Sequence, residues 1–126
     1  MVAKSLRCIA LTSLVALAAA APVSARPTQA SFDGRWSVVI ITDAGTCGRS
    51  YRYAVVVSRG QIYAADSGVN ISGGVDHGGR VSVSLRQGDS AAQGGGRLSS
   101  SAGAGRWHGT SSGASCSGRW LAERSG

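Results

Sequence analysis

The residues of this chain best able to do chemistry are Asp76 and His77, set in the stretch Gly-Gly-Val-Asp-His-Gly-Gly at positions 73–79. A carboxylate can orient an imidazole base, and flanking glycines let a substrate approach closely. No third group is evident beside them, and adjacent residues in a loop usually point in different directions. The pair therefore reads as part of a surface loop, and no catalytic residues are expected.

Asp76, His77 and His108 would make a metal site only if that loop folded back over the outer face of the protein. Neither His-x-x-x-His nor Cys-x-x-Cys spacing is present, so no metal is expected. Gly88-Asp89-Ser90 matches the opening of one esterase motif, but that motif needs a strand-to-helix setting, and here the residues read as a hairpin turn. The run Gln-Gly-Gly-Gly-Arg at 93–97 lacks the Lys-Ser/Thr of a phosphate loop and has no helix after it. No cofactor is expected.

Cysteine offers covalent chemistry of another kind. Residues 1–25 read as a secretory signal: Lys4 and Arg7 supply a positive start, residues 9–21 an apolar middle, and Val23-Ser24-Ala25 small residues before a cut at Arg26. The apolar run falls short of the roughly 20 residues that span a bilayer, and no later stretch does better. The mature chain is thus expected to be exported, to the periplasm or beyond it, without a transmembrane segment. Cys8 would leave with the signal, so Cys47 and Cys116 remain as one pair in an oxidising compartment and are expected to be joined. Closing that loop would contribute about 4 kcal/mol in the chain-entropy model.

The charged residues suggest partners. Beyond the proposed cut the chain carries 11 basic residues, all Arg, against 6 acidic ones. An exported basic protein of this kind can meet anionic polymers, although positive charge also simply keeps proteins soluble.

These groups must be held by strands. After a short leader at 26–31, the domain at 32–126 contains no convincing amphipathic helix. Glycine and serine punctuate short runs rich in Val, Ile, Tyr and Trp. Eight strands are expected, at about 34–42, 49–58, 60–66, 68–72, 79–87, 90–101, 105–111 and 115–123. Turns at Gly88-Asp89, Gly103-Ala104 and Gly113-Ala114 would pair Val83 with Gly94, Leu98 with Gly109, and Trp107 with Trp120.

Pairing the first strand with the last would close an all-β, antiparallel, eight-stranded up-and-down barrel and bring Cys47 beside Cys116. Every Trp follows Gly-Arg, as Trp36, Trp107 and Trp120. In the expected register each Arg points outward and each Trp inward, so the three indoles would form one interior aromatic layer. Arg80 would face Arg97, and His108 would face Arg119, on the outer wall. Like charges so placed repel unless an acid or anion lies between them, which makes these four residues a candidate anion site. The interior could instead hold a small ligand, unless Tyr51, Tyr53, Val55 and Val57 fill it.

Phe32-Asp33-Gly34-Arg35-Trp36, Thr46-Cys47 with Tyr51-Arg52-Tyr53, and Cys116-Ser117-Gly118-Arg119-Trp120-Leu121-Ala122-Glu123-Arg124 resemble blocks of a group of small exported bacterial proteins of unknown function. Members are sometimes labelled haem-utilisation or adhesion exoproteins, but no Cys-x-x-Cys-His is present here. Gly34-Arg35-Trp36 is also similar to the Gly-x-Trp of lipocalins. One bridge on a barrel of about a hundred residues resembles the small periplasmic inhibitors of bacterial metalloproteases, which insert an N-terminal arm into the protease cleft. That likeness would make residues 26–31 such an arm. The combined expectation is a monomeric, non-catalytic binding or envelope-structural protein. An arm-based inhibitor and a binder of anionic polymers are the alternatives.

Overall fold

The structure is a computed structural model and describes residues 31–66 and 68–126. Eight strands follow one another: β1 (Gly34–Ala44), β2 (Ser50–Ser58), β3 (Gln61–Ala64), β4 (Asn70–Val75), β5 (Arg80–Gln87), β6 (Ser90–Leu98), β7 (Ala102–Ser111) and β8 (Ala114–Arg124). Each pairs antiparallel with the next, and β1 pairs with β8, so the sheet closes into a barrel without free edges. The proposed signal and residues 26–30 of the leader lie outside the described residues. Among the described residues no helix is long and apolar enough to cross a membrane.

Period-two alternation builds the wall. In β5, Val81, Val83 and Leu85 face the interior while Arg80, Ser82, Ser84 and Arg86 face out and are exposed. Gly88-Asp89 forms the β5–β6 turn, and the expected pairs Gln87↔Ser90, Val83↔Gly94 and Arg80↔Arg97 are all present. Gly88 takes a φ of 59°, the left-handed conformation that a tight hairpin demands at its first central position.

The next two turns differ from expectation. The β6–β7 turn sits at residues 99–101, where the Ser99 amide and hydroxyl both donate to the Ala102 carbonyl, at 2.7 and 3.0 Å. Serine bonds its own turn backbone readily, and this local closure wins over Gly103-Ala104. Leu98 therefore faces Gly103 rather than Gly109, a slide of six residues. The β7–β8 turn is Ser112-Gly113, both with positive φ, as the mirror-image hairpin turn requires. Trp107 consequently faces Gly118, and Trp120 faces Gly105. Two indoles placed directly opposite would compete for one volume, whereas each now has a glycine before it. Both slides are even-numbered, so no side chain changes face.

One end of the barrel is a base and the other a mouth. Phe32, Trp36, Val57, Val75, Leu98 and Ala122 are buried at the base. Arg35 N–H donates to the Gly126 carbonyl at 3.1 Å, and Asp33 accepts from the amides of Arg59 and Gly60 at 3.0 and 3.3 Å. At the mouth, a disulfide joins Cys47 in the β1–β2 loop to Cys116 of β8, with Cα atoms 6.1 Å apart. Gly45, with φ 95°, runs tight against this bridge, where a Cβ would lie 2.7 Å from the Cys116 sulfur.

Candidate functional site: an open apolar cup

Inward side chains differ in burial along the barrel axis. Those near the base are almost fully covered, whereas Val38 and Ile40 of β1, Ile71 of β4, Val83 and Leu85 of β5 and Ala92 of β6 are only half-buried. They line a cavity of about 190 Å³ that runs from Trp36 to the mouth. Eight strands leave an interior just wide enough to be filled by side chains or to hold one small molecule. Here the inward positions of β6, β7 and β8 alternate large with very small residues, and the space is only partly filled.

The tryptophans shape this cup. Trp36 is 1 % exposed and its indole N–H donates to the Phe32 carbonyl at 2.9 Å. Arg124, which strand alternation turns inward at the end of β8, lies over that indole at 4.7 Å from the ring centroid. Its guanidinium also donates to the carbonyls of Ser31, Asp33 and Ser100, at 2.7 to 2.9 Å. A half-buried cation over an aromatic face, hydrogen-bonded to three carbonyls, closes the base of the barrel.

Trp107 and Trp120 lie along the wall in opposite directions. The Trp107 indole spans β8 and donates to the Ile41 carbonyl of β1 at 3.0 Å, while Trp120 spans β7 and donates to the Gly95 carbonyl of β6 at 3.1 Å. All three tryptophans are interior, but they are staggered rather than level: Trp36 stands opposite Arg124, whereas Trp120 stands opposite Ile40.

Polar atoms gather near the mouth. The Tyr53 hydroxyl donates to Gln87 Oε1 at 3.3 Å, and the hydroxyls of Ser90 and Ser111 lie 2.8 Å apart. Partial burial holds the Tyr53 phenol above its ordinary pKa, with the neighbouring Tyr51 adding to the effect. The hydroxyl therefore stays protonated and able to donate at neutral pH. Tyr51, 40 % exposed, accepts from the Gly48 amide at 2.8 Å and stands at the rim.

The sequence-derived candidates fall elsewhere. Asp76 Oδ1 accepts from the amides of Arg80 and Gly78, at 2.8 and 3.0 Å, and so caps the β4–β5 turn. Those bonds, the Arg80 amide first, and the charges of Arg80 and Arg97 hold its pKa below the ordinary carboxylate value. His77 is exposed on the same turn. Arg80 and Arg97 do face one another. His108, however, faces Ser117, and Arg119 faces Arg106, because of the two-residue slide between β7 and β8. Arg119 also pairs with Asp43 at 3.3 Å. Among the described residues no group of three or more His, Cys, Asp or Glu is arranged to hold a metal.

Two positions that matter to this geometry were not singled out from sequence. Arg124 had a usable signal, since it continues the inward alternation of Trp120 and Ala122. Arg106 was placed on the outer face by alternation, but its partner Arg119 was not foreseen, because that pairing depends on the register of the final turn. Comparison with protein-family models, curated proteins and solved structures gives no match for this chain. The geometry of the cup therefore carries the functional reading.

Proposed function

We propose that the protein is a non-catalytic binding protein that takes a small or slender apolar molecule into its cup. The observation that carries this is the half-buried aliphatic lining of the 190 Å³ cavity. A dry cavity of about 150 Å³ lined by similar side chains already accepts a single aromatic ring. The base is plugged by Phe32, Trp36 and Arg124, so a ligand enters by the mouth. Tyr53, Gln87, Ser90 and Ser111 offer hydrogen bonds to a neutral polar end there.

Export to the periplasm or the outside belongs to the same reading, and the Cys47–Cys116 bridge supports it, since such bridges persist in oxidising compartments. A sealed base and an open mouth are also in keeping with the resemblance to lipocalins at the level of architecture. The inhibitor reading rests on residues 26–31, of which 26–30 lie outside the described residues, and nothing in the barrel favours it.

The test is binding of a neutral, environment-sensitive probe such as N-phenyl-1-naphthylamine, followed by its fluorescence. Ala92→Phe should fill the cavity and abolish binding while the barrel still melts cooperatively. Equal binding by the native protein and the folded Ala92→Phe variant, or none by the native protein, would overturn the proposal.

A further inference from the structure

The outer wall carries a second feature, independent of the cup. Strands β5, β6 and β7 contain no Asp or Glu, yet place Arg80, Arg86, Arg97, Arg106 and His108 outward. Four arginines form a slanting band across four strands. Arg80 is directly opposite Arg97, and Arg106 is directly opposite Arg119. Arg97 faces Ala104, two residues from Arg106, so the middle step is a diagonal neighbour at about 7–8 Å. The acids at its margins are engaged or terminal. Asp76 caps its turn, Asp43 pairs with Arg119, Asp89 accepts from Ser112 at the mouth, and Glu123 lies toward the base.

Beside this band runs a groove of about 630 Å³ on the outer face of β5–β8. Gly95 leaves its floor flat, Ser82, Ser84, Gln93, His108 and Ser117 provide hydroxyl, amide and imidazole groups along it, Arg106 borders it, and its one carboxylate, Asp43, is paired with Arg119. An extended chain carrying regularly spaced anions and many hydroxyls matches both halves of this surface: the arginines meet the charges and the groove hydrogen-bonds the rest.

We propose that this wall binds an acidic polysaccharide. Single-stranded nucleic acid is the less suitable polyanion, because its readers stack bases on outward aromatics, and both tryptophans of β5–β8, Trp107 and Trp120, are buried in the interior.

The test uses the purified protein with polygalacturonate and heparin, with neutral dextran and oligo(dT) as comparisons, by isothermal titration calorimetry. The acidic polysaccharides bind and dextran does not. Release of counterions from about three contacts, at Arg80, Arg97 and Arg106, weakens binding by about twentyfold between 50 and 200 mM salt. Arg97→Gln combined with Arg106→Gln should lose about tenfold in affinity and flatten the salt slope by one to two units. Arg35→Gln with Arg52→Gln, on β1 and β2, should leave both unchanged. Should the first pair fail to fold, Arg106→Gln alone and the salt slope of the native protein still decide the matter. Absence of polysaccharide binding at 50 mM salt, equal loss in the β1–β2 control, or tighter binding of oligo(dT) would overturn the proposal. Ala92→Phe keeps this binding, which separates its failure from that of the cup.

Discussion

The Trp120 indole crosses β7 to donate its N–H to the Gly95 carbonyl of β6, 3.1 Å away, and it can do so only because Gly105 lies beneath it. A Cβ on Gly105 would come within 2.5 Å of the indole Cε2, and one on Gly96 within 2.6 Å of Cζ2. The glycine-rich strands are thus the bed for a flat aromatic ring. Gly105→Ala should destabilise the barrel by about 1–3 kcal/mol through overpacking, read by urea denaturation. A loss below a few tenths would show that the indole is free to shift.

Arg124 plugs the base through one aromatic face and three carbonyls. Arg124→Met keeps much of the volume but removes the charge and the donors. About 1–2 kcal/mol should be lost, combining a half-exposed cation–π contact with charged hydrogen bonds. Trp36 fluorescence should shift to the red as water reaches the base, and an unchanged spectrum would argue against the plug.

The disulfide closes a chain segment that includes most of the barrel, with a sequence separation of 69. Replacing Cys47 and Cys116 together by Ser should cost about 4 kcal/mol on the chain-entropy account. Because the bridge ties the β1–β2 loop to β8 at the mouth, loss of apolar-probe binding should accompany the lower stability. Retained probe affinity in the folded variant would show that the mouth holds its shape without the bridge.

How much of this was legible in the sequence depended on the kind of contact. The alternation Val81, Val83, Leu85 and the turn Gly88-Asp89 specify their hairpin locally, and its register follows. Closure through β1 and β8 could be read because the two cysteines need to meet. The turn at residues 99–101 could not be separated from one at Gly103-Ala104, since both stretches carry small turn-forming residues. The Ser99–Ala102 hydrogen bonds close the observed turn, and it brings Leu98 to pack over Gly103, a contact visible only in three dimensions. The cavity was equally hidden: inward residues can be named from alternation, but the volume they leave unfilled depends on where each indole lies. The candidate pair His108 and Arg119 was displaced by the same two-residue slide that brought Arg106 into the basic band.

Asp76 should give the protein an acid-sensitive turn. Its carboxylate accepts two amide hydrogen bonds and sits near Arg80 and Arg97, which lowers its folded pKa below the ordinary 3.8. A depressed carboxylate contributes stability that is present above the unfolded value and is lost as pH falls through the folded one. Asp76→Ala should therefore lower the melting temperature at pH 6 and converge on the native protein as the pH falls through the depressed folded pKa of the carboxylate. A constant difference across that range would assign the effect to packing rather than to charge.

The weakest seam of the wall lies between β3 and β4, alongside the cup. β7 and β8 pair without interruption from Ala102↔Glu123 to Ser111↔Ala114, whereas β3 and β4 share only Gln61↔Gly74, near the base. Ile62 and Ile71, which line the cavity, stand on either side of this seam. Fewer ladder bonds make local opening cheaper than global unfolding. Amide exchange should accordingly be fastest, among strand residues, at Tyr63, Ala64, Ile71 and Ser72, and slowest in β7 and β8. An apolar probe that spans the cavity binds only the closed form and should slow exchange at the seam in proportion to its occupancy. Protection of β3 and β4 equal to that of β7 and β8, with no response to the probe, would show that this seam is no weaker than the rest of the wall.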